Sequence, residues 1–499
     1  MEYLLQGFVN VFAPEVILLV IAGVIVGIII GALPGLTATM GVALFLPVTF
    51  GMDAVTGILL LIGVYFGSIY GGSISAILLN TPGTPASAAT ALDGHVLTQQ
   101  GKAGKALGIA AIASAAGGLL SALLLIFISP QLAEIALNFS APEMFGLALF
   151  GLSIISSISG GSILKGLIAG MVGLVISTIG MDPMTSYPRF TFDQLSLLNG
   201  LNFIPVMIGL FAVSEALVTM EEELRGKGTI NKVIASYILP KWSELKHLWG
   251  TMIRSGFIGS FIGIIPGAGA DIAAFVSYNE ANRFAKKEEK DSFGKGNPKG
   301  VAAAEAANNG VTGGAMVPLL TLGIPGDAVA AVLLGALIVQ GIQPGPQLFT
   351  TSADLVYTLF AGMLVANVLM LIFGLSGIRL FTKILKVPKN ILAAVIIVLS
   401  VVGSYAISNN FFDVYTMLGA GIIGYFMKKF GFPASPIVLA LILGPMAESE
   451  LRRALVMSEG SYSIFFTRPI SLLFIILAIL SLVLPVILEL RKKKKAIAK

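Results

Sequence analysis

At four places a long apolar run is cut by a Pro-Gly pair: Pro34-Gly35, Pro82-Gly83, Pro266-Gly267 and Pro325-Gly326. Proline removes a backbone donor and clashes with the preceding helical turn, and glycine weakens helix propensity. In lipid, each unpaired backbone group costs roughly 2–7 kcal/mol. A helix broken at membrane depth must therefore be enclosed by protein or line a water-filled cavity, which is how transporters build binding sites. The stretch Leu78 to Leu92, LLNTPGTPASAATAL, shows the pattern most clearly.

Apolar stretches of about 20 residues, enough to cross a hydrocarbon core of about 30 Å, recur along the whole chain. With 56% hydrophobic and 11% charged residues and a mean hydropathy of +0.93, the sequence describes an all-α polytopic membrane protein of about 11–13 spans, set in a lipid bilayer. Cysteine is absent and histidine is confined to His95 and His247, so disulfides, transition-metal sites and redox chemistry are not expected. The basic residues sit in short loops and in the tail RKKKK at 491–495, as at cytoplasmic membrane flanks, so the net charge of +5 reads as topology and not as nucleic-acid binding. The N-terminus lacks the basic segment of a cleaved signal peptide, and the first apolar run is expected to stay as a span.

The four shorter apolar pieces, 36–50, 84–97, 268–282 and 327–341, each follow a Pro-Gly pair and read as re-entrant segments or half-helices. They also reveal an internal repeat. GALPGLTA at 31–38 lies over GIIPGAGA at 263–270, 232 residues on, and the second pair of breaks is 243 residues apart. The charged insert KKEEKDSFGKGNPK at 286–299 accounts for the difference, and FIPVMIGLFAVSEAL at 203–217 resembles ASPIVLALILGPMAESEL at 434–451. The expected organisation is a first transmembrane repeat at 1–225, a cytoplasmic linker at 226–248, a second repeat at 249–455, and a C-terminal helix with a basic tail at 456–499. The loop bearing Lys102 and Lys105 falls inside by the positive-inside rule, whereas its counterpart GIQPGPQLFTTSAD, without lysine or arginine, falls outside. Equivalent loops on opposite sides mean inverted-topology repeats, with the N-terminus periplasmic and the C-terminus cytoplasmic.

Helices that restart after a break offer free N–H groups and a positive dipole end to a carboxylate. On this ground the substrate candidates are Pro34, Gly35, Thr37, Asn80, Thr81, Pro82, Gly83, Thr84, Pro266, Gly267, Asn309, Pro325 and Gly326. Side-chain oxygens beside freed carbonyls suit a hard cation, which nominates Thr39, Asp271, Asn308, Thr312 and Asp327. Asp271 and Asp327, which align with Thr39 and Thr84, could instead cap half-helices. Asp93 and His95 read as interfacial. GKGNPKG at 294–300 lacks phosphate-loop spacing, and no catalytic motif with a nucleophile and base is present, so an enzyme is not expected.

The runs GALPGLTATMGVALFLPVTFGMDAVTGILLLIGVYFGSIYGGSISAILLNTPGTPASAATALDGHVLTQQGKAGKALG, GIIPGAGADIAAFVSYNEANRFAKK and LLTLGIPGDAVAAVLLGALIVQGIQPGPQLF resemble the large, TctA-like membrane subunit of the tripartite tricarboxylate transporters. The resemblance implies a periplasmic solute-binding protein and a small four-span membrane subunit as partners, and a cation gradient, often Na+, in place of ATP. It implies a permeation core around Pro34, Pro82, Pro266 and Pro325, and no organic cofactor. The resulting expectation is a Na+-coupled importer of di- and tricarboxylates such as citrate in the bacterial inner membrane, working by alternating access. A passive carboxylate channel and an intramembrane enzyme using Asp271 and Asp327 are the alternatives.

Overall fold

Lipid offers no partner to backbone N–H and C=O groups, so an apolar chain must close its hydrogen bonds within helices. The computed structural model describes residues 2–33, 36–153, 163–182, 185–224, 239–267, 269–378, 380 and 389–497. Among these the only strand pairing is a two-residue ladder, Gly180–Met181 with Pro188–Arg189.

The first half supplies α1 (Glu2–Val11), α2 (Pro14–Ala32), α3 (Ala38–Phe45), α4 (Ala54–Leu79), α5 (Ser87–Gln99) and α6 (Ala103–Ala136). It continues with α7 (Ala141–Ser153), α8 (Ile163–Ser177) and α9 (Phe203–Leu224). The second half supplies α10 (Trp249–Ile264), α11 (Gly269–Phe284), α12 (Pro298–Leu322), α13 (Ala328–Val339) and α14 (Ala353–Ser376). After these come α15 (Lys389–Ser408), α16 (Phe411–Lys429), α17 (Ser435–Met457) and α18 (Pro469–Ile497). Among the described residues α2, α4, α6, α9 and α14 are long and apolar enough to cross a membrane. The four short apolar pieces form α3, α5, α11 and α13. Most of the linker, 225–238, lies outside the described residues, as do Arg379 and 381–388.

The helices gather into two compact units that do not follow the sequence halves. One comprises Met1–Ala133 and Glu215–Gly403, the other Glu134–Ser214 and Ser404–Lys499, so each unit draws one segment from each half.

In the first unit, α2 lies against α4 with backbone touching backbone. A methyl group at Gly27 would stand 2.4 Å from the Val64 carbonyl oxygen, and one at Gly31 2.1 Å from that of Ser68. α10 lies against α12 in the same manner, where a methyl group at Gly259 would stand 2.2 Å from the Ala307 carbonyl oxygen and one at Gly263 2.8 Å from that of Val311. Gly27 and Gly31 align with Gly259 and Gly263, so the sequence repeat reappears as repeated packing through small residues. The ends of α4 and α12 repeat as well. Asn80 takes a left-handed conformation (φ 56°), its N–H donating to Ala76 O at 3.2 Å while Thr81 N–H donates to Ser75 O at 3.4 Å. At the aligned positions Gly323 (φ 71°) donates to Leu319 O at 3.1 Å and Ile324 to Pro318 O at 3.2 Å. Both are Schellman endings, for which glycine and asparagine are the residues that accept positive φ most readily.

In the second unit α7 packs on α17 and α18, α8 packs on α17, and the start of α9 packs on α16. Arg189 and Arg452 share Glu448 at 2.7 Å each, and Arg452 also reaches Asp182 at 2.9 Å.

Candidate functional site

The short helices α5 and α13 each reach into the opposite half of the first unit. Ala86 and Ala89 of α5 pack against Ala274 of α11 and Ala304 of α12. Halfway along α5, Asp93 is fully buried and accepts from Tyr278 Oη at 2.8 Å and from the backbone N–H groups of Gly296 and Asn297 at 2.8 and 2.7 Å. Gln100 donates to Lys295 O at 2.9 Å. From the other side, Gln340 at the end of α13 donates to Thr49 O at 2.9 Å in the loop before α4. The start of α13 is tied to α4, because Asp327 accepts from Tyr65 Oη at 2.9 Å.

The broken segments are ordered by local caps. Thr37 accepts from Met40 N–H at 3.3 Å to begin α3, and Asp327 accepts from Ala330 N–H at 2.7 Å to begin α13. Thr84 and Ser87 form a reciprocal turn ahead of α5, with Ser87 Oγ donating to Thr84 O at 2.7 Å. Gly83 N–H donates to Gly72 O at 3.2 Å, and Gly267 N–H donates to Gly326 O at 2.8 Å, which joins the two breaks of the second half. A side chain at Gly83 would stand 2.3 Å from Gly31 O, and one at Gly326 2.6 Å from Ala315 Cα. Both glycines are thus required for close packing.

Exposure sorts the remaining candidates. Asn80, Thr81 and Pro82 are exposed, Thr39 and Pro266 are half-buried, and Pro325 is buried. Asp271 is exposed in the first turn of α11. Asn308, Asn309 and Thr312 lie buried in the middle of α12. Thr312 donates to Asn309 O at 2.6 Å, whereas both polar atoms of Asn308 and the Oδ1 of Asn309 have no hydrogen-bond partner among the described residues. Pro34 and Gly35 lie outside the described residues.

Sequence reasoning missed Glu305, Tyr65, Thr90 and Ser114. Glu305 is fully buried one turn ahead of the two asparagines, accepting from Thr90 Oγ1 and, at 2.9 Å, from Ser114 Oγ. A carboxylate within the small-residue run VAAAEAANNG was the available signal, since an ionisable residue inside a span is a functional candidate by default. In this unit Asp93, Glu305 and Asp327 are all buried, and the hydrogen bonds they accept come from hydroxyl and backbone donors; no ion pair to them is found among the described residues. The three do not form one metal-holding cluster among the described residues, but a single buried carboxylate with hydroxyl neighbours can bind a hard cation through oxygen, while the exposed turn at Asn80 and Thr81 offers polar groups to an anion.

Residues 17–439 match the family model described as "Tripartite tricarboxylate transporter TctA family". The chain belongs to the TctA family. It is also 37% identical over 488 residues to an uncharacterised 52.8 kDa protein in the TAR-I ttuC' 3' region of Agrobacterium vitis, covering 98% of this chain and 96% of the relative. An uncharacterised protein in the TAR-II ttuC' 3' region of the same organism is 38% identical over 236 residues, 47% of this chain and 97% of its own length. As a TctA-family chain rich in apolar helices, the protein is a membrane component of a tripartite tricarboxylate transporter.

Proposed function

We propose that this TctA-family chain is the translocating subunit of a secondary active importer of di- and tricarboxylates such as citrate. It works by alternating access, with Na+ as the coupling ion, in the bacterial inner membrane. A periplasmic solute-binding protein delivers the acid, and a small four-span subunit accompanies the chain. The observation that carries this reading is the repeated break: α4 and α12 end in the same left-handed turn, and each is followed by a short helix anchored in the opposite half. Two inverted repeats would place these turns as the paired halves of one substrate site.

The test is uptake of labelled citrate and related acids by cells expressing all three components, with sodium replaced by choline in a parallel arm. Leucine at Gly83 or Gly326 would strike backbone and confound site with packing, so the informative changes lie at the exposed turn. Asn80→Gly removes the side chain and keeps the left-handed backbone, and Thr81→Ala removes one hydroxyl. A lost hydrogen bond to a charged ligand, about 1.5–3 kcal/mol, corresponds to a rise of roughly 10- to 150-fold in the half-saturating substrate concentration. Sodium-independent uptake would overturn Na+ as the coupling ion, and unchanged affinity in both variants would sink the site assignment.

A further inference from the structure

We infer that Glu305 carries the coupling cation, a monovalent Na+ or H+ held at its buried carboxylate with Thr90, Ser114 and Asn309 supplying the neutral oxygens. This rests on the reading of the chain as a cation-driven transporter, and deepens it by naming the residue.

The placement begins with α12, where residues 305, 308, 309 and 312 fall on one helical face by their three- and four-residue spacing. Thr90 comes from α5 and Ser114 from α6, so three separate helices converge on the one carboxyl group. Each carboxylate oxygen receives one hydroxyl, and a hydroxyl keeps lone pairs free while it donates. Asn309 leans back over the same turn, its Nδ2 donating to Glu305 O at 3.2 Å. Among the described residues its Oδ1 is left buried and unpartnered, as are both polar atoms of Asn308. A buried acceptor without a donor is costly in a purely structural helix, and a cation beside a carboxylate is what would satisfy it.

Of the other ionisable groups on the elements packed around α12, Glu280 is half-buried and Arg283 exposed on α11, and those named next have partners elsewhere or lie in the open. Tyr65 and Asp327 pair with each other, and Asp93 is held by Tyr278 and backbone N–H groups. Tyr70, the ionisable group in electrostatic reach of Glu305, donates to Gly374 O at 3.2 Å. His95 meets Ile77 O at 3.1 Å, Arg254 stacks over the Phe284 ring at 4.8 Å, Lys105 pairs with Glu244, and Asp271 is exposed. Among the described residues no cationic side chain neutralises Glu305. An ionised carboxylate buried without a counter-charge is unstable, so it is expected to be protonated or to hold an ion.

The experiment reconstitutes all three components in proteoliposomes. Accumulation is measured under a Na+ gradient at equal pH, and under a pH gradient in sodium-free choline buffer, which identifies the cation. Glu305→Gln is expected to abolish accumulation driven by that gradient. Glu305→Asp, Thr90→Val and Ser114→Ala are expected to raise the half-saturating concentration of the cation by about tenfold. If Glu305→Gln, with the wild-type size-exclusion profile and unfolding temperature, accumulates substrate with unchanged cation dependence, the inference is wrong. Should that variant fail to fold, unchanged cation dependence in both hydroxyl variants overturns it equally. A wild-type protein inert under both gradients with every carboxylate overturns the transporter reading, and this inference with it.

Discussion

Asp327 shows how one side chain serves two elements in the first unit. Its Oδ1 begins α13 by accepting from Ala330 N–H, while its Oδ2 takes the hydroxyl of Tyr65, itself fully buried on α4. Tyr65→Phe should destabilise the protein by about 1–3 kcal/mol, because it leaves a buried carboxylate oxygen without its donor. Asp327→Ala should cost more, since a helix cap worth about 1 kcal/mol is lost as well. Thermal unfolding of the purified variants in detergent orders the two, and equal midpoints would show that the cap contributes nothing. The capping role was open to a reader of the sequence, because an acid just after Pro-Gly and before an apolar run obeys a local rule. The partner was not. Tyr65 lies 262 residues away, as Thr90 lies 215 and Ser114 191 residues from Glu305, and no spacing rule links such distant positions.

Among the elements, α5 is latched to the opposite half at its middle and just past its end. Asp93 closes the loop that leads into α12 by accepting two of its backbone N–H groups, and Gln100 ties the same loop at Lys295. Asp93→Ala should therefore speed hydrogen exchange at Gly296 and Asn297 by one to two orders of magnitude, the effect of losing roughly 1.5–3 kcal/mol of local protection. Gln100→Ala, which breaks a single exposed bond, should change it far less. The insert also carries a small pH dependence. The Lys299 ammonium, 2.6 Å away, holds the Glu289 carboxyl below its ordinary value of 4.5. A depressed carboxyl contributes stability above its unfolded value and loses it as the pH falls through the folded one. Exchange in 286–299 should thus stay flat from neutral pH down to about 4.5 after correction for intrinsic rates, then rise. Lys299→Met should remove the step. The element boundaries of α5 and α13 followed from Pro-Gly punctuation, whereas the full burial of Asp93 within the protein did not. Burial of a single acid is decided by a loop from the other half, which local pattern does not describe.

Across the whole molecule, sequence repeat and compact unit are two different partitions of the same chain. Each half contributes its first part to one unit and its second part to the other. Apolar length indicates the membrane class, and the glycine contacts of α2 with α4 recur at the aligned positions of α10 with α12. The interleaving was invisible, because periodicity reports which face a helix buries and not which helix covers it. Severing the chain within 226–238 and expressing both pieces together should give co-purifying halves that restore uptake. Either piece alone should be degraded or aggregate, since Thr90, Asp93 and Tyr65 would each lose partners in the other piece. A stable, monodisperse 1–225 fragment would contradict this.

The turn that ends α4 and α12 bears on ancestry. If one gene was duplicated and fused, both copies inherited a position whose backbone demands positive φ, now filled by asparagine at 80 and glycine at 323. Asparagine and glycine codons are connected by single-base steps through aspartate, another residue that tolerates this conformation. The two halves could drift apart at the site of the break without passing through a residue that the turn rejects.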